Sequence, residues 1–293
     1  RDMPKARRLH SEAIQKNFIP NDIYVTTALL STYLKCGSIK EAENVFKELL
    51  VRDTVSWNAL MCGYANHGQD HEAIESFKKM QEGGVPPDAI SFLCLMKVCG
   101  SIGNIERGEE IHAQVSKTGL LKKDYIVGGA LVNMYAKCGI FGKAHQVLEE
   151  VPVRNVVSWS SLIAGYVQIG QAPKALDCFE RMQREGIRPN EFTYTCVLKA
   201  YGSIRVIERG KQTHAELVAK GWLNGKCIVL GTALVDMYGK CGMIRKAQEV
   251  FDALLVRDSI SWTALITGYV HEGHFKEALD CFRQLQKEGL SPN

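Results

Sequence analysis

The apolar residues Trp159, Leu162, Ile163, Tyr166 and Val167 fall at i, i+3, i+4, i+7 and i+8, a spacing that puts them on one face of a helix. Gly170 breaks this pattern and Pro173 sits where a helix can begin. Ala175, Cys178, Phe179 and Met182 then form a second apolar stripe that runs out near Gly186 and Pro189. The spacing predicts two short amphipathic helices. Such a pair cannot bury both stripes by itself, so it has to stack on copies of itself.

The copies are written in the chain. "TVSWNALMCGY" from Thr54, "VVSWSSLIAGY" from Val156 and "SISWTALITGY" from Ser259 spell nearly one phrase, and Trp57, Trp159 and Trp262 are spaced by 102 and 103 residues. That period is too long for one helix pair and divides into three related units. They run over residues 54–88 (35 residues), 89–124 (36) and 125–155 (31), and again over 156–190 (35), 191–227 (37) and 228–258 (31). A third round opens with 259–293, a 31-residue unit at 23–53 precedes the first, and 1–22 is the tail of a unit whose His10 aligns with His112 and His214. The pattern predicts an all-α solenoid forming a single array.

Composition narrows this picture only a little. With 46% hydrophobic and 23% charged residues in 293, the chain has ample material for a packed core. Its 36 basic and 32 acidic residues give no strong basic field, so charge alone selects no partner. No apolar run approaches the ~18 residues of a spanning helix, so no membrane insertion is expected. Because "RDMPKARRLH" aligns with later units and the end, "SPN", closes a unit, the chain is expected to be a piece of a longer protein.

The candidate chemistry mostly reduces to packing. The ten cysteines contain no CxxC and recur in phase, as Cys36, Cys138 and Cys241 in "KCG", Cys94 with Cys196, and Cys178 with Cys281. They are expected to be reduced, structural thiols, which implies a reducing compartment. His10, His112 and His214 recur beside small residues and are also expected to pack, as are the three tryptophans. "HSE" at His10 and "HAE" at His214 match half of a zinc deaminase signature, but the PCxxC half is missing and the equivalent of Glu216 is Gln114. No catalytic residue, metal or cofactor is therefore assigned, and the segment is not expected to be an enzyme. A deaminase-like domain beyond Asn293 in a longer parent is a separate expectation.

The repeated motifs "GYxxxG", "FxxMQxxGxxP", "LVxMYxKCG" and "GxxxHA" resemble those of the pentatricopeptide repeat family across the whole chain. The order of 35-, 36- and 31-residue units is similar to its PLS subclass. This assigns P units to 54–88, 156–190 and 259–293, L units to 89–124 and 191–227 with a partial one at 1–22, and S units to 23–53, 125–155 and 228–258. The resemblance implies a right-handed superhelical solenoid of helix-turn-helix repeats that binds single-stranded RNA in a mitochondrion or chloroplast. It also implies that the array guides C-to-U editing or processing, as a monomer or with editing or processing proteins. Repeats of this family read one base each with two or three side chains.

By the same resemblance, the residue after each Trp or its equivalent reads a base together with the last residue of its unit. The pairs are Thr27/Asp53, Asn58/Asp88, Gly129/Asn155, Ser160/Asn190, Thr232/Asp258 and Thr263/Asn293. An Asp carboxylate accepts only, whereas Asn both donates and accepts, so the two can discriminate base edges. The family's preferences imply 5′-G-U-n-n-A-n-G-A-3′ from the unit at Ile23. Leu93/Asp124, the Gly129 unit and Thr195/Cys227 supply the three uninformative positions.

The residues two before each Trp or its equivalent, Tyr24, Val55, Ile90, Ile126, Val157, Phe192, Val229 and Ile260, would sandwich the bases. Lys35, Lys137 and Lys240 of "KCG" would approach phosphates. Their counterparts in the 35-residue units, Asn66, Gln168 and His271, leave that basic track intermittent. Helix capping is the competing role for the paired polar residues, and a protein-interaction scaffold is the competing function.

Overall fold

A computed structural model describes residues 3–19, 21–223 and 227–291, and among these the regular structure is helical throughout. In chain order the helices are α1 (Met3–Gln15), α2 (Ile23–Cys36), α3 (Ile39–Glu48), α4 (Thr54–Asn66), α5 (Asp70–Glu82), α6 (Ala89–Ile102), α7 (Ile105–Thr118), the single turn α8 (Leu120–Lys123), α9 (Tyr125–Lys137) and α10 (Phe141–Glu150). They continue with α11 (Val156–Gln168), α12 (Ala172–Arg184), α13 (Glu191–Ser203), α14 (Ile207–Ala219), α15 (Ile228–Lys240), α16 (Ile244–Asp252), α17 (Ser259–His271) and α18 (Phe275–Lys287). The chain divides into two compact units, Arg1–Arg154 and Asn155–Asn293. Each is a stack of helical hairpins, the architecture of a helical-repeat solenoid.

Within each unit the first helices of successive hairpins lie side by side. α2, α4, α6 and α9 form such a row in the first unit, and α11, α13, α15 and α17 in the second. Where another hairpin follows within the unit, a second helix packs on its own first helix and on the next, as α5 does on α4 and α6 and α12 on α11 and α13. The stripes read from the sequence point inward: Trp159, Leu162, Ile163 and Tyr166 are buried on α11, and Ala175, Cys178, Phe179 and Met182 on α12. Val167, at the edge of its stripe, is only half-buried.

The framework residues hold successive hairpins together. Trp57 meets Phe46 of the preceding hairpin edge-on at 4.7 Å between ring centroids, and Trp262 meets Phe251 at 4.6 Å. Trp159 is fully buried, with its indole N–H directed at Glu185 Oε2, 3.3 Å away. His10, His112 and His214 each bond through Nδ1 to the hydroxyl of Tyr33, Tyr135 or Tyr238, at 2.9, 3.0 and 2.9 Å. A second helix is thereby pinned to the first helix of the following hairpin. All ten thiols are free, with Cys94, Cys99, Cys178 and Cys196 buried. Among the described residues no cluster of His, Cys, Asp or Glu could hold a metal ion, and no helix is long and apolar enough to cross a membrane.

Candidate nucleic-acid interface

The site is built from the first turns of the first helices. The second residue of each is apolar and exposed: Tyr24 at 85%, Val55 at 61%, Ile90 at 53%, Ile126 at 52%, Val157 at 56%, Phe192 at 53%, Val229 at 57% and Ile260 at 58%. Scattered exposed apolar side chains are ordinary, but here one recurs at the same helix position in every first helix of each unit. Its spacing is one apolar plate per hairpin.

The residue closing each hairpin caps the helix that opens the next. Asp53 accepts from the Ser56 N–H at 2.8 Å, Asp88 from Ser91 at 2.9 Å, Asn155 from Ser158 at 2.9 Å, Asn190 from Thr193 at 2.9 Å and Asp258 from Ser261 at 2.8 Å. Asp124 accepts from Ile126 at 2.8 Å. Capping therefore takes up one oxygen of each side chain, as these residue types favour. Cys227 is the N-cap of α15 without a side-chain capping bond, and Asn293 lies outside the described residues.

The structure brings several of the proposed pairs together. Asn58 is buried and its Nδ2 donates to Asp88 Oδ1 at 2.9 Å, while Ser91 Oγ donates to Asn58 Oδ1 at 2.6 Å. Burial pushes the Asp88 carboxyl up, but the bonds from Ser91 and Asn58 outweigh it and hold the group below the ordinary carboxylate range. Ser160 and Asn190 are joined through Thr193, whose Oγ1 lies 2.6 Å from Ser160 Oγ and donates to Asn190 Oδ1 at 2.8 Å. Thr232 and Asp258 line one cavity of about 350 Å³, together with Val229, Ile260 and Thr263.

Other proposed readers sit differently. The Oγ1 atoms of Thr27 and Thr232 are buried without a hydrogen-bond partner, a costly state for a hydroxyl. Thr263 Oγ1 instead donates to the Ser259 carbonyl at 2.6 Å, and Gly129 is buried. Lys35 and Lys137 are exposed, whereas Lys240 is half-buried and its Nζ is 2.7 Å from Asp236 Oδ2. The three lysines are thus not equivalent. Two further exposed lysines, Lys97 and Lys199, stand on the first helices of the 89–124 and 191–227 hairpins. Their spacing of 102 residues could have flagged them in the sequence.

Comparison with known proteins fits this architecture. A PPR repeat family model matches residues 52–101, 154–203 and 257–293, and a PPR repeat model matches 24–53 and 232–258. The chain is 36% identical to the chloroplastic pentatricopeptide repeat-containing protein At4g18520 of Arabidopsis thaliana, over 97% of this chain and 45% of that protein. It is 33% identical to the mitochondrial pentatricopeptide repeat-containing protein At1g06140 of the same plant, over 95% and 50%. The chain therefore spans about half the length of the curated relatives it matches. The solved structure of PPR10 in complex with an 18-nt psaJ RNA element superimposes with a TM-score of 0.79 at 20% identity, over all of this chain and 44% of that one. PPR10 from maize gives 0.70 at 20% identity, over 92% and 39%. These two likenesses establish the fold. The repeat models together match more than half of the chain, which belongs to the PPR repeat family.

Proposed function

We propose that this chain binds single-stranded RNA, one base per hairpin, as a PLS-type array that guides C-to-U editing or processing carried out by an appended domain or a partner protein. The observation that carries the reading is the exposed apolar side chain at the second position of each first helix, Tyr24, Val55, Ile90 and Ile126 in one unit and Val157, Phe192, Val229 and Ile260 in the other, with a polar pair assigned to the hairpins of Tyr24, Val55, Val157, Val229 and Ile260. Plates of this kind cover base faces without choosing among them. The polar pairs, of which Asn58/Asp88 is the best ordered, would then choose the base edge.

The RNA complex of PPR10 and the chloroplastic and mitochondrial relatives support RNA as the ligand and an organelle as the compartment. The predicted site is 5′-G-U-n-n-A-n-G-A-3′, read with the amino end toward the 5′ end by a monomer. Asn293 enters the final pair from sequence alone.

Fluorescence anisotropy at physiological salt, with labelled GUNNANGA RNA against a scrambled RNA and the matching single-stranded DNA, tests the proposal. A preference of tenfold or more for the designed RNA, ~1.4 kcal/mol, is the expected result. Equal, salt-sensitive binding to all three would remove the base code, and no binding at all would put a protein-interaction scaffold in its place. Exchanging Ser160→Asn with Asn190→Asp should move the fifth base from A toward U.

A further inference from the structure

The two complete L hairpins, residues 89–124 and 191–227, are poorly equipped to read a base. Leu93 offers no polar atom, and Thr195 is buried with its hydroxyl committed to the Glu191 carbonyl at 2.9 Å. At the closing positions, the Asp124 carboxylate caps Ile126, and Cys227 makes no side-chain cap bond. One helical turn beyond each reading position, on the same face, stands a lysine: Lys97 after Leu93 and Lys199 after Thr195.

Neither ammonium group is spent on an ion pair with a carboxylate among the described residues. Lys97 Nζ donates to Asn66 Oδ1 at 2.6 Å, a neutral acceptor. Lys199 lines the 350 Å³ cavity that also holds Thr232, Asp258 and the apolar plates Val229 and Ile260. Asp236 lines the same cavity, but its carboxylate is taken by Lys240 at 2.7 Å. The equivalent helix position elsewhere carries Ser31, Cys62, Asn133, Ala164, Asp236 or Thr267, so a cation occurs there only in the L hairpins.

We infer that Lys97 and Lys199 are positioning residues that hold phosphates of the RNA backbone, so that the L hairpins grip the strand while the P and S hairpins read it. The inference rests on the RNA-binding reading above and adds a division of labour to it. A strand crossing an L hairpin would be fixed in register by charge without any base being selected. Sequence-independent contacts of this kind position the ligand and make binding salt-dependent.

The test measures affinity for GUNNANGA and scrambled RNA across a salt series, for the unaltered chain, Lys97→Gln, Lys199→Gln, the double variant, and the Lys→Arg counterparts. Each Gln variant is expected to weaken both RNAs by the same factor and to make the slope of log affinity against log salt shallower by ~0.7, the double variant by ~1.4. The Arg variants should restore the slope. Both positions are exposed, and circular dichroism checks that each variant keeps its helices. RNA binding with an unchanged salt slope in the double variant would overturn the inference and leave the RNA reading standing. A change confined to one base position would also overturn it, by making the lysines base readers. Absence of RNA binding by the unaltered chain would take down both.

Discussion

Asn58 and Asp88, 30 residues apart at the opening and the close of one hairpin, are joined by a 2.9 Å hydrogen bond from the Asn58 amide to the Asp88 carboxylate. The other end of the same amide accepts from Ser91 Oγ at 2.6 Å, so the side chain is held at both ends and its donor and acceptor cannot exchange places. One base-reading candidate is thus oriented by the residue that closes its hairpin and by the third residue of the next helix.

Removing that second restraint should blur the reading without abolishing it. Ser91→Ala frees the Asn58 carbonyl oxygen, and the preference for U at the second base is expected to fall about fivefold, the ~1 kcal/mol of one neutral hydrogen bond. Affinity for scrambled RNA should stay unchanged. Anisotropy with the four variants of the second base measures this, and an unaltered preference would remove Ser91 from the site.

The close approach of first helices gives a second prediction. A Cβ on Gly239 of α15 would lie 3.0 Å from the Gly268 Cα of α17, a backbone atom that cannot swing aside. Gly239→Ala is therefore expected to cost ~1–3 kcal/mol by overpacking. Gly142, exposed within α10, has nothing within 4 Å of such a Cβ, and Gly142→Ala should stabilise by ~0.5–1 kcal/mol through the usual entropic gain in a helix. Urea midpoints of the two variants should move in opposite directions.

How much of this was legible beforehand depends on which residues had to meet. The stripes of α11 and α12 and the burial of Trp57, Trp159 and Trp262 follow from periodicity along one helix. Tyr24, Val55, Ile90, Ile126, Val157, Phe192, Val229 and Ile260 are exposed, and their role against bases rests on the family resemblance alone. The Asn58–Ser91, Ser160–Thr193 and Lys97–Asn66 bonds were not legible, because each depends on the register between two helices more than 30 residues apart. The three "KCG" lysines looked alike in sequence because the acid that claims Lys240 sits one turn earlier as Asp236, where the Lys137 hairpin has Asn133. The single turn α8 carries no stripe of its own to announce it.

The thiols of Cys62 and Cys94 lie on neighbouring first helices and share a hydrogen bond that lowers the Cys62 pKa to about 7; Lys97 acts in the same direction, against burial. The same bond, together with burial, raises Cys94. Cys62 also lines a cavity with Lys35 and Asn66. It is therefore expected to be the first of the ten thiols to react with iodoacetamide, with a rate that rises through neutral pH. Cys94→Ala should shift that rise to higher pH. Mass spectrometry of timed reactions checks both statements, and equal labelling of Cys62 in the two proteins would refute the coupling.

The burial of His112 and His214 is expected to make the fold sensitive to mild acid. Burial lowers the pKa of both His112 and His214, with Lys143 and Lys246 acting in the same direction and Glu150 and Glu109 partly opposing it at His112. A histidine whose folded value is depressed binds its proton more readily in the unfolded chain. Its contribution to stability is full above the unfolded value, ~6.5, and declines as pH falls from there toward the lower folded value. The unaltered chain should lose stability between about pH 7 and 5. A double His112→Gln, His214→Gln variant, whose amides can still bond to Tyr135 and Tyr238, should show a flatter profile over that range. Urea midpoints at half-unit pH steps measure the difference, and parallel profiles would show that these two histidines do not carry the acid sensitivity.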